Sequence, residues 1–254
     1  KNVDWKLYGR TDKLFVKKHE EETNLRCQII IDTSSSMYYP KLENFSLQNP
    51  NKILYSVYAA ASLMNLFKKQ RDSVSLSMFS DKLDYHSESK TTNKHHISLK
   101  RKMVETLNNR PEFKTTSAID AIHQVASRLH KRSLVLFFTD MMDGVEDLNE
   151  IFLALQHLKF NKHEVILFHL SENKTEFDLE FSNSPHKFID IETKEELNLN
   201  PNEIKKEFKK SSNMFLNELK TRCLQYKIDL VNVNINKGIE EILISYLLKR
   251  QKMF

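Results

Sequence analysis

The stretch Cys27-Gln28-Ile29-Ile30-Ile31-Asp32-Thr33-Ser34-Ser35-Ser36 decides how the rest of the chain is read. Its first half is apolar and rich in β-branched side chains, and a polar turn closes it. That combination predicts a buried strand. If the chain stays extended past the strand, side chains at i, i+2 and i+4 point to one side. Asp32, Ser34 and Ser36 are then expected to converge, offering one carboxylate and two hydroxyls. Taken alone, D-x-S-x-S is a modest signal, because serine-rich turns after strands are common.

Two further segments bear on the same place. Ser133-Leu134-Val135-Leu136-Phe137-Phe138-Thr139-Asp140 reads as a second short apolar strand ending in a carboxylate. Thr115-Thr116 opens a helical pattern, with Ile119, Ile122, Val125, Ala126 and Leu129 at spacings of three and four. A threonine there is also a natural N-cap, so its plain role is to start the helix.

The D-x-S-x-S spacing after a buried strand resembles the metal-ion-dependent adhesion site of von Willebrand factor A-like domains. That resemblance implies that a threonine at the start of the later helix is a direct ligand and that the aspartate after the next strand is the fifth group. Aligned on Ala121-Ile122, the threonine is Thr116 rather than Thr115. The family usually carries glycines just before it, whereas this chain has Lys114-Thr115. The expected ligand set is therefore Asp32, Ser34, Ser36, Thr116 and Asp140, and the expected ion is Mg²⁺ or Mn²⁺. Mg²⁺ prefers oxygen ligands in octahedral geometry and retains waters. Three neutral hydroxyls leave most of its charge uncompensated, so the two aspartates neutralise it. One position stays available to a carboxylate on a partner. Placement at the carboxyl ends of strands agrees with where open α/β sheets bind ligands.

A wider resemblance rests on Val3-Asp4-Trp5-Lys6-Leu7-Tyr8-Gly9-Arg10-Thr11-Asp12-Lys13-Leu14-Phe15-Val16-Lys17 and on Glu20-Glu21-Glu22-Thr23-Asn24-Leu25-Arg26. It continues through Asp72-Ser73-Val74-Ser75-Leu76-Ser77-Met78-Phe79-Ser80, Phe188-Ile189-Asp190-Ile191-Glu192-Thr193 and Tyr246-Leu247-Leu248-Lys249-Arg250. Together these are similar to domain-of-unknown-function family fifty-eight, bacterial von Willebrand A-like proteins often encoded beside MoxR-type AAA+ ATPases. The likeness implies a binding or assembly role with such an ATPase or its client as partner. It also implies a segment before this signature, so Lys1 is not expected to be the natural start.

Composition sets bounds. A chain of 254 residues is expected to form one globular core. No apolar run approaches the roughly 18 residues needed to span a bilayer, and no signal-peptide h-region is present. Cys27 falls in a predicted core strand and Cys223 in a predicted helix. Two cysteines so placed predict buried thiols in a reducing compartment, hence a cytoplasmic location. The net charge of +5 is dispersed, which argues against a nucleic-acid footprint. Three glycines leave no phosphate-cradling loop, so this chain is not expected to be the nucleotide-binding partner.

Periodicity gives the coarse order. Residues 14–19, 26–32, 73–79, 134–139, 165–170, 187–191 and 228–233 read as strands, with 83–86 pairing onto 73–79 as a hairpin. Residues 52–69, 97–107, 116–131, 148–158, 202–226 and 239–250 read as helices. The first of these is apolar on several faces and is expected to pack tightly on a sheet. The stretches 87–95 and 171–186 lack periodicity and read as surface excursions. Alternation of this kind predicts an α/β, doubly wound fold, a mostly parallel sheet with helices on both faces, and the resemblance implies that it is von Willebrand factor A-like. Residues 1–23 are expected to form an N-terminal arm packed on the core, and 24–254 the domain itself.

Several residues invite other readings. His95-His96 is a polar pair with no further ligand at metal spacing. Ser34 lacks the G-x-S-x-G elbow of a hydrolase nucleophile. Asp143 and Glu146 precede a helix and read as capping and dipole groups. Trp5 reads as a packing residue of the arm. The expected role is non-enzymatic; the alternative, a metal-dependent hydrolase, would need a general base within reach of a metal-bound water. No His or Glu stands at fixed spacing to serve.

Overall fold

The computed structural model describes residues 9–12, 25–41, 46–108, 118–141, 145–182, 184–191 and 194–253. In chain order these form β1 (Arg26–Asp32), a 3-10 turn (Ser35–Tyr38), α1 (Lys52–Lys69), β2 (Ser73–Phe79), β3 (Leu83–His86) and α2 (Asn93–Asn108). There follow α3 (Ala118–Arg128), β4 (Leu134–Thr139), α4 (Val145–Phe160), β5 (Glu164–Ser171) and the single turn α5 (Asn173–Glu176). The chain ends with β6 (His186–Ile189), β7 (Glu196–Leu199), α6 (Pro201–Gln225), β8 (Asp229–Asn234) and α7 (Glu240–Met253).

Strand alternation builds two cores on one sheet. Ile29 and Ile31 of β1 face the first, and Ile30 faces the second. Likewise Leu134, Leu136 and Phe138 of β4 face the first core, and Val135 and Phe137 the second. Helices α1, α2 and α7 cover the first, through residues such as Leu63, Phe67, Leu99 and Tyr246. Helices α3, α4 and α6 cover the second, through Ile122, Phe152, Leu155 and Leu219. A strand buried on both faces needs the near-continuous apolar runs that β1 and β4 carry.

The strand order is β3-β2-β1-β4-β5-β8. Every neighbouring pair is parallel except β2 with the edge strand β3. This is the doubly wound, mostly parallel sheet with helices on both faces that the alternation predicts. The order reverses direction between β1 and β4, whose carboxyl ends therefore flank the sheet's switch point.

Helix α1 shows how the chain manages with few glycines. The Asn51 side chain accepts from Leu54 N at 3.0 Å and caps its start. At its end Arg71 takes φ 57° while Asp72 N donates to Phe67 O at 2.9 Å, the role a glycine usually fills.

Two expectations from periodicity need correction. Residues 187–191 do not join the main sheet: His186–Ile189 pairs antiparallel with Glu196–Leu199 as a separate hairpin. Alternation marks a strand but not its partner. Nor is 171–186 entirely irregular, since it holds α5, and one turn is too short to show a period. Residues 14–19, Trp5 and, apart from 9–12, the arm assigned to 1–23 lie outside the described residues. Cys27 and Cys223 are both buried free thiols. No helix among the described residues is long and apolar enough to cross a membrane.

Candidate metal centre

β1 and β4 bring Asp32 and Asp140 to the switch point. Ile31 is registered on Phe138, so the two strands end side by side. Asp32 is fully buried, and both of its oxygens are held. Ser34 N donates to Oδ1 at 2.9 Å, and Thr139 Oγ1 donates to Oδ2 at 2.8 Å. Thr139 Oγ1 also accepts from Met141 N at 3.1 Å, which fixes the turn that carries Asp140. Each carboxylate oxygen keeps a second lone pair.

Ser34 and Ser36 do converge, but not through an extended chain. In an extended chain the Cα atoms of residues two apart lie about 6.8 Å from each other. Ser34 is extended, at φ −59° and ψ 165°, and the chain then winds into the 3-10 turn Ser35–Tyr38. The winding places Ser34 Oγ and Ser36 Oγ 3.0 Å apart. For oxygens about 2.1 Å from a central ion, adjacent octahedral positions are also about 3.0 Å apart. The hydroxyl pair thus fits one edge of a Mg²⁺ shell.

Asp140 is likewise buried, and it has a partner that the spacing of motifs did not reveal. Lys52, the first residue of α1, is wholly buried and donates from Nζ to Asp140 Oδ2 at 2.7 Å and to Glu176 Oε1 at 2.5 Å. Burial alone would lower the Lys52 pKa, yet Asp140 and Glu176 hold it above its ordinary value. Glu176 is pushed up by burial despite that ion pair. Its Oε2 accepts from Glu172 N at 2.7 Å, which closes the one-turn helix α5 over the site. His169, buried beside Asp140, is held neutral by burial, with its pKa lowered to about 4.

Asp32 has no such cation among the described residues. Burial first, and the nearby Asp140 carboxylate second, raise its pKa from 3.8 to about 7. With Asp32, Asp140 and Glu176 ionised and Lys52 charged, the formal charge of the cluster is that of a divalent anion. A buried charge excess of this kind is costly unless a cation meets it. The donor set therefore fits a hard divalent ion: oxygen only, partly anionic and partly hydroxyl. Among the described residues no group of three or more His, Cys, Asp or Glu is placed to hold a metal by itself, so hydroxyl oxygens such as those of Ser34 and Ser36 would have to complete any site here. Thr116, with Thr115 and Asp143, lies outside the described residues.

Comparison with known proteins now bears on the whole chain. The family described as "Protein of unknown function DUF58" matches residues 1–214. The chain belongs to that family. No curated protein matches it. Among solved structures, this DUF58 member is similar to the conserved hypothetical protein BatB from Bacteroides thetaiotaomicron, with a TM-score of 0.53 and 13% identity, covering 91% of this chain and 100% of BatB. An aerotolerance-related membrane protein from Bacteroides fragilis, crystallised with multiple mutations to serines, gives 0.50 and 15%, covering 85% and 95%. The PilB minor pilin from Streptococcus sanguinis gives 0.52 and 10%, covering 93% of this chain and 63% of the pilin. At such identities the likeness is one of fold.

Proposed function

We propose that this DUF58 protein is a non-enzymatic interaction domain that holds Mg²⁺ or Mn²⁺ and recognises a carboxylate on a protein partner through it. One observation carries the reading: a buried carboxylate, Asp32, with no cation beside it among the described residues, stands at the switch point next to two hydroxyls 3.0 Å apart, the spacing of a coordination edge. Asp32, Ser34 and Ser36 would hold the ion, with Asp140 and Thr116 completing the set. When bound, the ion supplies an electrophilic position for an outside oxygen. Asp32 is oriented by Thr139 and by Ser34 N, and Asp140 is oriented by Lys52. His169 is too buried, and too weakly basic, to serve as a general base for hydrolysis. The family resemblance makes a MoxR-type AAA+ ATPase, or a client that it remodels, the partner of choice.

The decisive experiment titrates the purified ATPase against this domain in Mg²⁺ and then in a chelator. Chelation, or Asp32→Ala, is expected to weaken the complex by at least about tenfold, or roughly 1.4 kcal/mol. Without the ion, Asp32 and Asp140 face the partner's carboxylate directly, and like charges at short range repel even at an effective dielectric near 20. Equal affinity in both conditions rules out recognition through the metal.

Asp32 also sets a pH dependence. Its folded pKa, about 7, lies above the ordinary 3.8, so the fold favours the protonated acid. The stability this contributes is full below about pH 4 and is lost as pH rises through about 7. In chelator, Asp32→Asn is therefore expected to be more stable than wild type at pH 8, with the gap closing towards pH 4. Holding a metal requires the carboxylate. Mg²⁺ affinity should accordingly fall about tenfold per pH unit below pH 7 and level off above it. Calorimetric titration from pH 5.5 to 8 checks this; a flat profile would exclude Asp32 as the primary ligand.

A further inference from the structure

The sheet face under α3 is filled unevenly. On β4 it carries Val135 and Phe137. On β1 and β2 the residues that share the side of Ile30 and Phe79 are instead Gln28, Ser75 and Ser77, all buried. They are tied together: Ser75 Oγ donates to Gln28 Oε1 at 2.6 Å, and Gln28 Nε2 donates to Ser77 Oγ at 2.9 Å. Ser77 Oγ lies 2.8 Å from His86 Nδ1. Since that hydroxyl already accepts from Gln28, its own proton is free to go to His86 Nδ1. The neutral imidazole then carries its hydrogen on Nε2 as a spare donor.

Ser75, registered on Gln28, and Ser77, registered on Ile30, fill less of this face than Val135 and Phe137 do on β4. A cavity of about 310 Å³ results, lined by Arg26, Gln28, Ser75, His86, Arg128 and His130 among others. It lies at the start of β1, the end opposite Asp32, and is separate from the candidate metal centre. Arg26 and Arg128 have no ion pair among the described residues. Glu88 is the acid on the wall, and Lys90 Nζ neutralises it at 2.9 Å. Arg128, in the last turn of α3, also suits the negative end of that helix. That end carries about half a charge, well short of two guanidinium groups. The field is felt nearby: burial, and then Arg128, lower the His86 pKa.

We propose that this cavity is a second binding site, specific for a phosphate-type dianion, with Arg26 and Arg128 as its clamps. The planar guanidinium fork matches phosphate oxygens in pairs, and His86 Nε2 adds a neutral donor. At about 310 Å³ the cavity is at the lower limit of small-molecule pockets. That size suits inorganic phosphate or a small phosphomonoester.

The test is calorimetric titration of the full chain with inorganic phosphate, glycerol 3-phosphate and succinate at constant ionic strength. Saturable binding of one equivalent of phosphate or of the ester is expected, the tighter of the two identifying the source. Arg26→Gln and Arg128→Gln should each weaken it by at least about tenfold, with Arg26→Lys recovering part of the loss. Both arginines are exposed, so these variants should fold, as circular dichroism checks. Lys209→Gln, outside the lining, should bind as wild type does. The proposal is overturned if no saturation occurs below about 10 mM, if succinate binds equally well, or if the arginine variants bind like wild type.

Discussion

Replacing Lys52 with methionine is expected to destabilise the protein by about 3–5 kcal/mol, the cost of breaking a buried ion pair from one side. The methionine stem preserves most of the packing, so the loss reports the ammonium. An exposed pair would contribute only about 0–1 kcal/mol. Burial decides which regime applies, and Lys52 and Asp140 have side-chain exposures of 0% and 2%. Without Lys52, Asp140 and Glu176 become uncompensated carboxylates in a buried site. The residue's place in α1 supports this account. The first turn of a helix favours acids, yet α1 has none there and begins with a lysine. Lys52 is held by its two carboxylates against the helix dipole. Urea unfolding in chelator at pH 7.5 measures the loss, and adding Glu176→Gln to Lys52→Met should recover part of it. A loss below about 1 kcal/mol would show that water or protons already compensate these groups.

Lys52 also marks the limit of what the sequence discloses. β1, β2, β4 and α1 were legible because each carries its own period or apolar run, and the D-x-S-x-S motif is local. So Asp32, Ser34 and Ser36 could be named before their geometry was known, although the 3-10 turn that joins them could not. Asp140 was legible as the polar end of an apolar strand. Lys52 and Glu176 are 124 residues apart and meet through tertiary packing alone. The clues were a basic first residue after the Asn51 cap and a one-turn helix within an aperiodic stretch, and both are weak. Thr139 escaped for a different reason. It stands beside Asp32 through a parallel register between β1 and β4, and no local pattern states such a register. The start of α2 was read four residues late because Asn93-Lys94-His95-His96 is polar. His96 N donates to Thr92 O at 3.1 Å, so the helix begins on hydrogen bonds before its apolar face appears.

The second large effect separates fold from site. Ile30→Ala is expected to cost roughly 2–5 kcal/mol, because it opens a cavity in a central strand. Ile30 is 1% exposed and packs in the core that holds Phe79, Ile122 and Phe137. Interiors are close-packed, so neighbours cannot fill the space without strain. Ser34→Ala and Ser36→Ala remove far less. Each deletes one member of a hydroxyl pair at 3.0 Å, for about 1 kcal/mol. Binding should respond in the opposite sense. Folded Ile30→Ala should keep its Mg²⁺ affinity, since Asp32 stays anchored by Thr139 and by Ser34 N. The serine variants should lose affinity while retaining their structure. Denaturant unfolding and metal titration on the same three variants check both halves. If the serine variants unfold as readily as Ile30→Ala, those hydroxyls support the fold rather than a metal, and the proposed ligand set fails with them.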